Sequence, residues 1–100
     1  MAGKKKVAKE VAVLIGNRTY NLYFGYVTDA SGANVKIKRA RQVIYWSADV
    51  KGAGGLAVTG PSATCRIGPA ISEVEVRDVI TVASVTDEAV KAFEAAPWGR

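Results

Sequence analysis

Apolar and polar residues alternate along most of this chain with a period of two, which is the pattern of half-buried strands. Val35 and Ile37 are interleaved with Lys36 and Lys38, and Val74 and Val76 with Glu73, Glu75 and Arg77. Leu22, Phe24 and Tyr26 would share one face of a strand over residues 20–28, with Tyr23, Gly25 and Val27 on the other. Further strands are predicted over 9–15, stopped by the turn pair Gly16-Asn17, and over 34–46, after the turn Asp29-Ala30-Ser31-Gly32. A short strand fits 63–67. The stretch 73–85 reads as two strands or one bent strand, because Asp78 interrupts its alternation.

The period changes to that of a helix only near the end. Thr86 can cap free amides, Asp87 and Glu88 favour the positive end of the helix dipole, and Ala89, Val90, Ala92, Phe93 and Ala96 form one apolar stripe. Pro97 ends the helix, and Trp98 would pack on the core or on a neighbouring subunit. Residues 49–61 are glycine-rich and read as a flexible loop, with one helical turn over 56–58. The expected fold is mainly β, a small antiparallel barrel or curved sheet of about five strands with one C-terminal α-helix (α+β if the helix is counted). Residues 1–8 would be a basic tail and 9–100 one β-rich domain, a division that suits a chain of 100 residues.

Alternation fails at one place, and the failure is informative. Carried past Ile37, it would send Arg39 and Arg41 into the core beside Val35. Two unpaired guanidiniums there would cost too much, so a bulge or kink near Arg39-Ala40-Arg41 must break the pattern. Gly25, among aromatic rings on the preceding strand, also signals a bulge or a close backbone approach.

Composition narrows the chemistry. There is no histidine and one cysteine, so His-dependent triads and Cys/His nucleophiles are excluded, and no carboxylate cluster stands in for a metal site. The expectation is a protein that is not an enzyme and carries no cofactor. The longest apolar run, Val11 to Ile15, is too short for a membrane span, and no signal-peptide pattern follows Lys4-Lys5-Lys6. That reads as cytoplasmic. Charge is uneven: residues 1–66 hold 11 Lys and Arg against 3 Asp and Glu, while 67–100 hold 3 against 6. Such asymmetry steers anions to one face, or joins identical subunits.

The densest signal is the run from Lys36 to Trp46, four cations leading into Val43-Ile44-Tyr45-Trp46. Arg39 and Arg41 would clamp phosphate oxygens, with Arg41 exposed near the bulge and within reach of Arg66 or the glycine loop; Tyr45 or Trp46 would stack on a base, and Lys51 and Arg66 would add charge from loops. Each has a plainer reading: the rings as core or interface, the arginines as partners of Glu73 and Glu75. Gly52-Ala53-Gly54-Gly55 invites comparison with phosphate-cradling loops, but no Gly-Lys-Ser/Thr follows and a mobile connection is the simpler reading.

Ala40-Arg41-Gln42-Val43-Ile44-Tyr45-Trp46, the Gly-Leu-Ala at Leu56, Thr86-Asp87-Glu88-Ala89 and Ala96-Pro97-Trp98 together resemble a family of uncharacterised small proteins of tailed phages and prophages. That family is marked by an Ala-Arg-x-x-x-Tyr-Trp core and a C-terminal Ala-Pro-Trp. The resemblance covers about Val11 to Trp98. It implies a phage origin, which would place the protein in the host cytoplasm or, as the alternative, in a virion, and supplies no catalytic residue.

The function expected is therefore that of a non-enzymatic phage-type accessory protein, a homo-oligomer (a dimer or larger) acting by binding. In its sharpest version it sequesters an anionic nucleotide-like or cyclic-nucleotide ligand, an anti-defence role. One alternative is a structural or interaction protein of the virion or its assembly. The other is a nucleic-acid-binding domain, supported by a pI near 9.6 but by no recognition helix or RNA-binding motif.

Overall fold

In the computed structural model, residues 9–18 and 21–97 are described. The basic Lys4-Lys5-Lys6 and Trp98 lie outside them. Six antiparallel strands make one open, strongly curved sheet: β1 (Val11–Asn17), β2 (Leu22–Val27), β3 (Val35–Tyr45), β4 (Arg66–Ile67), β5 (Ile71–Val76) and β6 (Val79–Ser84). Helix α1 (Gly52–Thr59) follows β3 after a 3-10 turn, and α2 (Asp87–Ala95) follows β6.

The order across the sheet is β6-β1-β2-β3, after which β3 is long enough to carry two partners in tandem. Its first half pairs with β5 (Val35 with Val76, Ala40 with Ile71) and its end with β4 (Val43 with Ile67). β5 and β6 thus sit on opposite edges, yet only Arg77 and Asp78 separate them. Two residues cannot cross a flat four-strand width, so the sheet must curl until its edges meet at this corner. Asp78 turns the corner at φ +58°. Its carbonyl accepts from the Arg18 amide, and the Val79 amide donates to Ala33.

Both faces of the sheet are buried near its centre. Leu14, Leu22, Phe24, Val43 and Ile67 pack beneath the helices with Leu56, Ala57 and Phe93. Val13, Ile15, Val27, Val35, Ile37, Ala40 and Val76 fill the inside of the curl. That explains the consecutive apolar residues Val13-Leu14-Ile15, where β1 is central and covered on both sides; Val11, at the start of the run, is exposed. β2 divides as its alternation predicts, Leu22 and Phe24 toward the helices and Val27 into the curl.

Two expectations are corrected. Gly16-Asn17 does not stop the first strand: Gly16 pairs with Leu22 within the ladder, and the turn comes later, where the Asn17 amide donates to the Asn21 carbonyl. The glycine-rich stretch is not a loop with a single turn but an eight-residue helix with Leu56 fully buried. Glycines cost a helix about 1 kcal/mol each relative to alanine, so burial decides here. Gly55 is required besides, since a β-carbon there would collide with the Val50 carbonyl.

Thr86 does cap α2, its hydroxyl oxygen accepting from the Ala89 amide. It also closes α1. Its amide donates to the Ala57 carbonyl and its hydroxyl donates to Val58, so the last carbonyls of one helix are satisfied by the first residue of the next.

Candidate functional site

The predicted break in β3 is a β-bulge. Tyr26 pairs with Lys38 and Phe24 with Arg41, leaving Arg39 and Ala40 opposite Gly25 alone. Arg39 takes the left-handed conformation at φ +50°. The extra residue resets the strand's phase. Ala40 joins Val35 and Ile37 inside the curl, whereas Arg41 and Val43 turn to the helix side with Phe24.

The two arginines then meet different fates. Arg39 is exposed, donates from Nη2 to the Glu10 carboxylate at 2.7 Å, and lies 4.2 Å above the Tyr26 ring. The expectation that Arg41 stands exposed beside Arg66 or the glycine loop is wrong: the residue is only 7% exposed. Its Nε donates to the Gly68 carbonyl at 2.7 Å and its Nη1 to the Phe93 carbonyl at 2.6 Å. Burial pushes its pKa down. The bulge removes Arg41 from the inner core without returning it to solvent, because α2 covers the face it now occupies. Neither arginine pairs with Glu73 or Glu75, which face Lys38 and Lys36 across the ladder.

Both arginines line one cleft of about 530 Å³. Phe24, Pro69, Ala70 and Ala96 supply its apolar walls, and Tyr26 and Glu94 its remaining polar groups. The Tyr26 hydroxyl donates to the Glu94 carboxylate. Burial, and then that neighbouring carboxylate, push the Tyr26 phenol up to about 12. Arg39, through its hydrogen bond, holds Glu10 below the ordinary carboxylate range. Tyr26 and Glu94 were not singled out by sequence. Tyr26 has the signature of a core ring at i+2 from Phe24, and Glu94 that of a solvated helix position.

The other predicted residues lie elsewhere. Tyr45 pairs with Arg66 at the end of the β3–β4 ladder, and both are exposed. Tyr45 and the half-buried Trp46 border a groove of about 350 Å³ with Asn21 and Gln42. Trp46 also packs against the helix-side core, while Phe24 is wholly buried, so both rings are at least partly covered as alternation predicts. Lys51 is exposed at the start of α1, at φ +66°. None of these four borders the arginine cleft.

A second polar cluster surrounds Cys65, where the hydroxyls of Ser47, Ser62 and Thr64 are linked and Asp49 accepts from Ser47. Burial raises the Cys65 thiol, but hydrogen bonds from Ser47 and Ser62 outweigh it and the net direction is down. Among the described residues no group of three or more His, Cys, Asp or Glu could hold a metal ion. Nor is any described helix long and apolar enough to cross a membrane.

Fold and site define a mainly β protein with a cleft built on a bulge and roofed by its C-terminal helix. Residues 10–93 match the domain of unknown function DUF6948, and the chain belongs to that family. No curated protein and no solved structure matches it.

Proposed function

We propose that this chain is a non-enzymatic accessory protein of the phage type, which acts as a homo-oligomer and by binding. In its sharpest form it sequesters an anionic, nucleotide-like ligand in the bulge cleft, in an anti-defence role. One observation carries this reading: Arg39 at the rim and Arg41 at the floor open onto the same cleft, with the Tyr26 ring beside them. Planar cations and a flat ring are the groups that hold phosphates and bases. The recognition set is Arg39 and Arg41 with Tyr26, in place of the arginines with Tyr45 or Trp46. A thermal-shift screen over nucleotides, cyclic dinucleotides and short oligonucleotides at two salt concentrations tests it. A pocketed ligand raises the melting temperature saturably with little salt dependence, and no response to any of them sinks the reading.

A second reading, a structural or interaction protein of the virion or its assembly, is favoured by β6. This edge strand has no charged residue from Val79 to Ser84, and Ile80 and Val82 are 59% and 43% exposed. Among the described residues no strand pairs with its outer side, and uncharged edges of this kind are normally covered by a partner. Finding the protein in purified particles would select this reading. Polynucleotide binding has less support, because Glu75 and Glu73 across the ladder from Lys36 and Lys38 break up the positive stripe a phosphate backbone would follow.

A further inference from the structure

Arg41 is a buried cation that the described residues leave without an anion. Neither ion pair among them, Arg39 with Glu10 or Arg77 with Glu75, includes it. Its two partners are carbonyl oxygens. One belongs to Phe93 in the last turn of α2, where the negative end of the helix dipole helps, but a dipole offsets only part of the cost of desolvating a full charge. A guanidinium carries five N–H donors. With Nε and Nη1 engaged, the Nη2 donors have no partner among the described residues, and Arg41 lines the cleft.

We propose that the Nη2 edge of Arg41 is the seat of an oxyanion, a carboxylate or a phosphate monoester, carried at the end of a small ligand that enters the cleft anion first. The proposal rests on the cleft-binding reading and narrows it. A side chain this buried is approached from one side only, so the anionic group must be terminal. A phosphodiester, substituted on both sides, cannot bring its oxygens down to the floor. Cyclic nucleotides and cyclic dinucleotides are therefore poor ligands, and nucleoside monophosphates or ring-bearing carboxylates good ones. The flat part of the ligand would lie beside the Tyr26 ring and against Pro69, Ala70 and Ala96, and Arg39, exposed at the rim, would leave Glu10 to meet a second oxygen.

The test follows the Arg41 Nε–Hε resonance of the ¹⁵N-labelled full chain, with melting temperature in parallel, during titration with inorganic phosphate, acetate, adenosine 5′-monophosphate, 3′,5′-cyclic adenosine monophosphate and adenosine. The expected result is a saturable movement of that resonance with phosphate or acetate, whichever is the matching oxyanion. Where phosphate matches, the monophosphate should bind more tightly than phosphate alone, and adenosine and the cyclic diester should leave the signal in place. Arg41→Met and Arg41→Lys, checked for folding by circular dichroism, should lose the rise in melting temperature, Met by removing the charge and Lys by removing the fork. Arg39→Gln should weaken the monophosphate by about tenfold, the value of one charge-assisted hydrogen bond. An unmoved resonance with both phosphate and acetate up to tens of millimolar overturns the seat. If cyclic dinucleotides bind while the Arg41 signal stays still, the seat fails and the ligand-binding reading survives. If nothing in either set binds, both fail.

Discussion

A β-carbon on Gly25 would stand 3.1 Å from the carbonyl oxygen of Lys38 across the ladder, and 3.3 Å from the α-carbon of Ala40. Both contacts are with backbone, which cannot swing aside as a side chain can. The absence of a side chain at Gly25 is what lets Arg39 and Ala40 crowd opposite a single residue. Gly25→Ala should therefore cost about 1–3 kcal/mol, the range of overpacking in a filled interior. Urea unfolding would show it as a lower midpoint at unchanged slope. An unaltered midpoint would mean that the bulge can relax.

Phe24 and Phe93 stack face to face, their centroids 4.4 Å apart and planes within 6°, and join the sheet to α2. Phe24→Ala should destabilise by about 3–5 kcal/mol, the usual cost of emptying a fully buried aromatic site. Trp46→Ala should cost less, since that ring is only half-buried against the same core. Equal losses for the two in denaturant titrations would contradict the packing described.

Thr86 is predicted to matter beyond an ordinary cap. Its hydroxyl serves Val58 and Ala89 together, so Thr86→Ala removes a hydrogen bond from each of two helices. A loss of about 1–2 kcal/mol is expected, at the upper end for N-caps. Thr86→Ser keeps the hydroxyl and should restore most of it. If serine unfolds as readily as alanine, the methyl group rather than the oxygen is responsible.

Tyr26 gives a pH dependence with a defined sign. Burial and the Glu94 carboxylate disfavour its phenolate and place the folded pKa at about 12, above the ordinary 10.0. A raised pKa means stability that is whole below pH 10 and lost as pH climbs from 10 through 12. The wild-type melting temperature should thus fall over that window more steeply than that of Tyr26→Phe, and the substitution should remove a phenolate absorbance step near pH 12. Parallel curves would show that neither the burial of the Tyr26 hydroxyl nor its hydrogen bond to Glu94 persists in solution.

Self-association is expected through β6. Light scattering at tens of micromolar should report a mass above that of the 10.6 kDa chain, and Ile80→Lys or Val82→Lys should reduce it without unfolding the protein. A monomer at that concentration would leave the edge uncovered and remove the oligomer from the proposal.

How far the sequence could be read varies with the physics at each place. The bulge was legible because burying two guanidiniums along strict alternation is costly, so the break had to fall near Arg39. The cap at Thr86 was legible because its chemistry is local. α1 was not: Gly52, Gly54 and Gly55 argue against a helix on propensity, and only tertiary burial of Leu56 and the tight contact of Gly55 with Val50 reverse that. The burial of Arg41 was hidden for a related reason. Rejecting the inner core for it left solvent as the apparent alternative, when a third place existed beneath a helix that begins some 46 positions later. Tyr26 and Glu94 meet across 68 positions, and nothing local in either segment announces the other.

The two-residue corner at Arg77-Asp78 bears on how the protein is made and unmade. Because β5 and β6 continue into each other while holding opposite margins, neither margin can peel away without dragging the other. Amide protons in both should exchange as one cooperative unit, in contrast to the independent fraying of ordinary outer strands. The ladder of β1 with β6 joins segments from nearly the two extremes of the described chain, so loop-closure entropy makes it the ladder expected to close last. Until then the interior of the curl stays wet and adhesive, and a newly synthesised chain has its greatest need of protection in that interval.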